Sequence, residues 1–217
     1  MKQSFFARLA ICTLMFLTVS SAYAFQGPQP FSADFSTTST NGNVHMNGKF
    51  YFSLPNLRMD MTDTGQHQNA GPFGGKMSII VDGGNKISYM LMTDQQMYME
   101  FATDSNNPMA QRMPRFQDFN GDPCSVGNPG NATCKKLGTE TINGRTCDKW
   151  EVTDKSGNKE TLWIDQKLHF PIKSQTANGT TTEFTNIKEG AQDAALFKVP
   201  PGYHKFDPSM MRGQRPH

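Results

Sequence analysis

The sequence lacks the patterns that accompany hydrolytic and nucleotide-dependent catalysis. None of its five histidines stands in a catalytic motif, and there is no Gly-x-Ser-x-Gly sequence, phosphate-binding loop or His-Glu-x-x-His sequence. No charge of one sign dominates, because 21 lysines and arginines face 19 aspartates and glutamates. We therefore predict a protein that is not an enzyme, uses no cofactor and has no electrostatic basis for binding nucleic acid.

Long apolar runs are also scarce, and the one that stands out lies at the N-terminus. Leu9 to Val19 is about 11 residues long, well short of the roughly 20 that cross a bilayer. Lys2 and Arg8 precede this run, and Ala22-Tyr23-Ala24 follows it as a small-x-small cleavage site. The pattern predicts a signal peptide over residues 1–24, cleaved after this site, and a mature protein in the periplasm or outside the cell.

The remaining chain has no linker rich in serine, proline or glycine that would divide it into separate units. We predict a single domain over residues 25–207 and a disordered tail over residues 208–217. Removing Lys2 and Arg8 with the signal peptide leaves equal numbers of basic and acidic residues. The net charge of the mature chain is therefore expected to be near zero.

Three cysteines remain after cleavage, in a compartment where disulfides persist. A hairpin turn at Asn143-Gly144 pairs Glu140 with Cys147. Continuing that hairpin places Cys134 roughly 20 Å from Cys147, beyond the ~7 Å limit for a disulfide. We predict a monomer with a Cys124–Cys134 disulfide and with Cys147 free on a polar strand face; the alternative is that all three cysteines are unpaired.

Alternating apolar and polar residues predict a series of short β-strands. Phe31 to Ser36 and Val44 to Leu54 are the clearest, and Pro55-Asn56 fits the centre of a turn that pairs Phe52 with Met59 and Phe50 with Met61. Two short helical segments are expected, over residues 106–119 and 191–197. Ten or so strands joined by short turns predict a mainly β, antiparallel protein whose sheet curls into a half-closed barrel or splits into a sandwich.

The most informative stretch is Ile87 to Phe101, which predicts a hairpin turning at Asp94 and Gln95. Met92 then lies opposite Met97 and Met90 opposite Met99. Because side chains alternate along a strand, these methionines share one face with Phe101. Together with the apolar face of the hairpin around Pro55-Asn56, they form a candidate ligand groove. Its predicted residues are Phe50, Phe52, Met59, Met61, Met90, Met92, Met97, Met99 and Phe101.

Three interpretations of this methionine-rich face remain open. It is a pliable floor for an acyl chain or another apolar ligand or partner segment, a core wall filled by the protein's own residues 106–119, or a set of Cu(I) ligands. Met-x-Met pairs arise on any strand face built from methionine, because residues i and i+2 point the same way. We predict the groove, assign no metal site, and keep a methionine-rich periplasmic Cu(I)-binding protein as the alternative.

Several motifs carry a family resemblance over most of the mature chain. They lie at Gly138 to Trp150, Leu162 to Asp165, Pro171 to Lys173 and Leu196 to Tyr203. In this order they resemble an uncharacterised bacterial secreted family related to the LolA and LolB lipoprotein carriers.

The resemblance implies a curved antiparallel sheet, LolA-like, with an apolar concave face partly plugged by helices. The shared phenylalanine and methionine face of the two hairpins predicts a lipid, an acyl chain or an envelope protein as the partner. The mature chain is expected to start almost directly in a strand, without the long N-terminal helix of the carriers, so lipoprotein transfer is not carried over.

Overall fold

The computed structural model describes residues 28–40, 45–63, 75–103, 123–125 and 132–206. The predicted signal peptide, the 106–119 segment and the C-terminal tail from residue 208 lie outside these residues. Short 3-10 helices are present at Thr93–Gln95, Pro123–Ser125 and Ala194–Phe197. Within the described ranges, no helix is long and apolar enough to cross a membrane.

In the part of the chain that the structure describes, twelve strands form one sheet. In chain order they are β1 (Phe31–Thr38), β2 (His45–Ser53), β3 (Asn56–Asp63), β4 (Lys76–Asp82), β5 (Ile87–Met92), β6 (Met97–Ala102), β7 (Thr133–Ile142), β8 (Arg145–Thr153), β9 (Lys159–Asp165), β10 (Phe170–Thr176), β11 (Thr181–Glu189) and β12 (His204–Lys205).

The strand order across the sheet is β12-β6-β5-β4-β3-β2-β1-β11-β10-β9-β8-β7. Two antiparallel meanders, β1 to β6 and β7 to β11, therefore meet where β1 pairs with β11. The predicted mainly β, antiparallel sheet is confirmed, and it does not close into a barrel. Only β12, a two-residue strand parallel to β6, was not predicted.

The sheet is strongly curved, as the contacts between its phenylalanines show. β2 and β10 are separated by β1 and β11, so they lie roughly 14 Å apart along the sheet at ~4.8 Å per strand. The ring centroids of Phe52 on β2 and Phe170 on β10 are nevertheless 5.0 Å apart. The sheet bends toward these rings, and we call the face that carries Phe31, Phe50 and Phe52 the inner face.

The predicted register of the β2–β3 hairpin is wrong by two residues. Phe50 pairs with Met59, not with Met61, and Ser53 pairs with Asn56. The turn consists of Leu54 and Pro55, joined by a cis peptide bond, so that proline stands second in the turn as in type VI turns. A two-residue slip keeps every side chain on its predicted face, because the side-chain period is two.

The outer face is apolar on β4 to β6 and is covered by the C-terminal segment 194–205, which we call the C-terminal strap. Ile80 and Leu91 are buried there against Phe197 of the strap, with Tyr89, Tyr98 and Tyr203 packed around them. Asp193 caps the short helix Ala194–Phe197 by accepting a hydrogen bond from the backbone of Ala195. The predicted helical turn at residues 191–197 is thereby confirmed. With the strap in place, the sheet buries side chains on both of its faces.

Candidate functional site

The methionine hairpin has the predicted pairing. Met92 lies opposite Met97 and Met90 opposite Met99, while Phe101 pairs with Ser88. The turn spans residues 93–96, and Gln96 adopts a left-handed conformation at φ 52° that returns the chain into β6. The predicted hairpin and its shared methionine face are confirmed.

The structure brings all the predicted groove residues to the inner face, through the pairing of β2 with β3, β3 with β4, β4 with β5 and β5 with β6. Their exposure is graded. Phe50 and Phe52 are fully buried, Met59, Met61, Met90 and Met92 are buried, and Met97, Met99 and Phe101 on β6 are half-buried. The inner face is therefore closed at its phenylalanine centre and partly open at its methionine edge.

Sequence reasoning left Met77 out of the groove. Met77 pairs with Met61 on one side and with Met92 on the other, and Met92 pairs with Met97. Methionines thus stand side by side on the adjacent strands β3, β4, β5 and β6, where neighbouring Cβ atoms are about 5 Å apart. The single methionine of β4 belongs to no Met-x-Met pair, and only the strand register shows its place in this methionine row.

The aromatic centre of the inner face also gains residues that the predicted site did not include. Phe31 and Phe170 contact each other at 5.1 Å between ring centroids, and Phe184 lies 5.0 Å from Phe50. Phe31 comes from β1, the neighbour of β2 in the chain, but Phe170 and Phe184 come from β10 and β11, which are distant in sequence from β2. Long-range pairing assembles this cluster, so a hairpin-by-hairpin reading of the sequence could not find it.

Beside the aromatic centre the inner face carries a polar track, which consists of Thr37, Glu160, Ser174 and Thr182. Ser174 pairs with Thr182, and Thr182 shares a hydrogen bond of 2.9 Å with Thr37. Glu160 accepts a hydrogen bond from Ser174, and burial raises the pKa of its carboxyl above the ordinary 4.5. The track lies two residues along the strand from Phe35 on β1 and from Phe184 on β11, which gives the inner face an amphipathic character.

The predicted Cys124–Cys134 disulfide is present, with the two Cα atoms 5.7 Å apart. The hairpin register on which this prediction rested is also confirmed, since Glu140 pairs with Cys147 across the β7–β8 hairpin. Cys134 pairs with Val152 and packs against the main core cluster. The disulfide therefore ties the segment around Cys124 to the edge of the sheet that β7 forms.

The prediction that Cys147 lies on a polar strand face is wrong. Its side chain is 0% exposed and belongs to the main core cluster. The alternation argument assumed that β8 buries one face, but Cys147 and Val152 lie on opposite faces and both are buried. Burial raises the pKa of the Cys147 thiol to about 11, because poorly solvated surroundings disfavour the thiolate.

Arg58 and Asp60 on β3 hold the outer face together. Arg58 donates to the Asp60 carboxylate at 2.7 Å and to the backbone oxygen of Leu196 at 3.1 Å. The Ser78 hydroxyl donates to the same carboxylate at 2.6 Å. Arg58 is only 16% exposed, so it connects β3 to the C-terminal strap rather than to water.

A polar depression of about 540 Å³ opens on the outer face, away from the predicted groove. It lies where β1 meets β2 and β11, and Asp34 in it is bound by Lys49 and by Asn186. These hydrogen bonds, that of Lys49 above all, lower the pKa of Asp34. Among the residues that the structure describes, no group of three histidine, cysteine, aspartate or glutamate side chains could hold a metal ion.

An open, curved antiparallel sheet with an apolar inner face defines the structural class of this protein. The profile of a family described as a domain of unknown function, DUF4412, matches residues 32–169. The chain belongs to this family. No curated protein sequence matches it.

Several solved structures are similar to this chain. An uncharacterized conserved protein from Thermus thermophilus has a TM-score of 0.53 at 9% identity, over 82% of this chain and 90% of that chain. The MucA/MucB complex of Pseudomonas aeruginosa has a TM-score of 0.44 at 15% identity, over 77% of this chain and 55% of that chain. A putative outer membrane lipoprotein-sorting protein domain from Vibrio parahaemolyticus has a TM-score of 0.34 at 10% identity, over 80% of this chain and 90% of that chain.

The likeness to the Thermus protein shows the fold alone. The motifs predict an uncharacterised family, and the match to a domain of unknown function agrees with that prediction.

Proposed function

We propose that this protein is an exported, non-enzymatic envelope protein that binds an acyl chain on its inner face. The observation that carries the proposal is the graded exposure of that face, from fully buried Phe50 and Phe52 to half-buried Met97 and Met99. A sealed aromatic floor gives rigidity, and methionines at the open side adapt to the shape of a flexible chain. Each methylene group buried there contributes roughly 0.8 kcal/mol.

Export is proposed from the N-terminal pattern of residues 1–24, and N-terminal sequencing of the protein from its own host tests it. We expect the mature chain to begin at Phe25. Retention of Met1 in the envelope fraction would contradict cleavage.

Binding is tested by titrating a fluorescent fatty acid into the purified protein and by native mass spectrometry of material from its own host. We expect saturable binding and a co-purifying lipid. In a Met97→Gln, Met99→Gln variant the affinity falls, because two apolar contacts at the open edge become polar. Glu100→Gln, an exposed neighbour on the same strand, serves as the matched control. A clean apo mass together with no binding of the fatty acid would end the proposal.

The structural competitor is an inner face filled by the protein itself. In that case fatty acid binds nowhere, and Met97 and Met99 resist oxidation by hydrogen peroxide whether or not a fatty acid is present. Under the binding proposal both methionines oxidise in the apo protein, and added fatty acid protects them. Mass spectrometry of the peptides that contain them distinguishes the two.

A second candidate function, Cu(I) binding, is favoured by the methionine row on β3 to β6. Met61, Met77, Met92 and Met97 are laterally adjacent, so three thioethers could converge on one soft ion. Competition against a Cu(I) chelator tests this candidate. Replacing Met90, Met92, Met97 and Met99 by leucine keeps the volume nearly constant, so the fold is expected to survive. Copper affinity that is unchanged in this variant would remove the candidate.

A further inference from the structure

The polar track on the inner face contains an acid that lacks a basic partner among the described residues. Glu160 is half-buried, shares its face with Leu162, and pairs with Val152 on one side and Thr176 on the other. The ion pairs found in the described part of the chain leave Glu160 out. Its hydrogen-bond donor there is the Ser174 hydroxyl.

Two other acids of the sheet are neutralised by ion pairs, which sets Glu160 apart. Glu189, which pairs with Phe31 across β1 and β11, is bound by Arg145 at 2.9 Å. Asp148, opposite Ile164, is bound by Lys136 at 2.7 Å. A carboxylate held in poorly solvated surroundings is stabilised when a cation reaches it, so Glu160 is the place on this face where a positive group gains most.

Resting on the proposed acyl-chain binding, we propose that the ligand is a single-chain amphiphile with a primary amine head group, and that Glu160 binds the ammonium. The apolar chain extends from there along the inner face.

The hydrogen-bonding inventory of the polar track fits an ammonium better than other head groups. An ammonium has three donors and no acceptor, and the track offers the Glu160 carboxylate together with the hydroxyl oxygens of Ser174 and Thr182 as acceptors. A fatty acid would bring a second carboxylate beside Glu160, so it is expected to bind through its apolar chain but more weakly than an amine of the same length. A neutral alcohol would leave the Glu160 charge without a partner.

A purely structural Glu160 is the competing explanation. A protonated Glu160 that shares a hydrogen bond with Ser174 would satisfy itself inside the fold and would not select among head groups. The raised pKa of Glu160 fits both a protonated structural acid and an acid that awaits a cation. Head-group selectivity, measured at constant chain length, separates the two.

The experiment titrates dodecylamine, dodecanol and dodecanoic acid, each below its solubility or micelle-forming limit, into the wild type, Glu160→Gln and Glu151→Gln. Glu151 lies on the opposite face of the sheet and forms an ion pair with Lys159, which makes it the matched control. We expect the wild type and the control to bind the amine about tenfold or more tightly than the alcohol, since a hydrogen-bonded charge pair contributes that much. In Glu160→Gln the amine affinity falls to that of the alcohol.

Affinity for dodecanol reports that each variant is folded and that the chain still binds. If the three compounds bind the wild type equally, or if amine preference survives in Glu160→Gln, the inference is overturned while acyl-chain binding stands. If none of the three binds the wild type, acyl-chain binding itself fails, and the inference fails with it.

Discussion

At the scale of single residues, burial decides the chemistry of Cys147 and Glu160. Both positions follow a polar pattern in the sequence, and both side chains are removed from water in the fold, Cys147 completely and Glu160 in part. In each case the uncharged form is favoured, so the pKa rises. The two residues therefore give direct tests of the packing on β8 and β9.

For Cys147 we expect a thiol that is inert in the native protein. With a pKa of about 11, only about one thiol in a thousand is ionised at pH 8, and the side chain is inaccessible. Iodoacetamide at pH 8 should leave Cys147 unmodified in buffer and modify it rapidly in guanidinium chloride, as peptide mass spectrometry will show. Fast labelling of the native protein, or a dimer linked through Cys147, would contradict the buried position.

For Glu160 we expect that replacement by glutamine stabilises the protein at neutral pH. The native state binds a proton at Glu160 more tightly than the unfolded chain does, because the pKa is raised from 4.5. The stability contribution of that proton is present at low pH and is lost as the pH rises through the folded-state pKa. Glu160→Gln should therefore have a higher unfolding free energy than the wild type at pH 7. Urea titrations at pH 7 and pH 4 should show the difference shrinking at the lower pH; a variant that is less stable at both would refute this.

At the scale of secondary structure elements, close contacts fix the β2–β3 hairpin and the C-terminal strap. Gly48 on β2 is packed so tightly that a Cβ would lie 1.8 Å from the backbone oxygen of Asp60 and 2.9 Å from the ring of Phe35. Phe197 of the strap is buried between β4 and β5 on the outer face. One substitution can add a methyl group at the first contact, and one can remove the ring from the second.

Gly48→Ala is expected to destabilise the protein by about 1–3 kcal/mol, because the added methyl group has no space beside β3. Gly84→Ala is the matched control, since its nearest neighbour would be at an ordinary 3.5 Å. Chemical denaturation of both variants measures the difference. Equal stability would show that β2 and β3 are not as close at Gly48 as described.

Phe197→Ala is expected to lower the unfolding free energy by about 3–5 kcal/mol, the usual cost of removing a buried phenylalanine ring. The outer residues Ile80 and Leu91 would then become exposed. Increased binding of a hydrophobic dye and faster hydrogen exchange in β4 and β5 would accompany the loss. A loss below about 1 kcal/mol would show that the strap contributes little to the sheet.

At the scale of the whole molecule, the sequence predicts local pairing well and distant pairing poorly. Alternation and turn residues are local signals, so the β5–β6 hairpin and the shared face of the groove residues could be predicted. The pairing of β1 with β11 depends on which two edges meet after both meanders form, and no local pattern specifies it. The Phe170 and Phe184 part of the core, and the placement of Glu160 beside Ser174, follow from that pairing and could not be predicted.

The Cys124–Cys134 disulfide should stabilise the whole sheet although it closes a short loop. Its sequence separation of 10 predicts about 3 kcal/mol on the loop-entropy model. A Cys124→Ser, Cys134→Ser variant should lose this amount in urea unfolding, and reduction of the wild type should have a similar effect. Stability that is unchanged by both treatments would indicate that the loop ends are held together by other contacts.

The junction between β1 and β11 also has a consequence for the time course of folding. Partners such as Phe35 and Phe184 are far apart in the chain, so this fold has a high contact order at its centre. During synthesis the first meander emerges with β1 as an unpaired edge. This edge has no partner strand until β11 has been made, near the end of the domain. Folding to completion is thereby delayed until residues 181–189 are available, which keeps the chain incompletely folded for as long as its translation lasts.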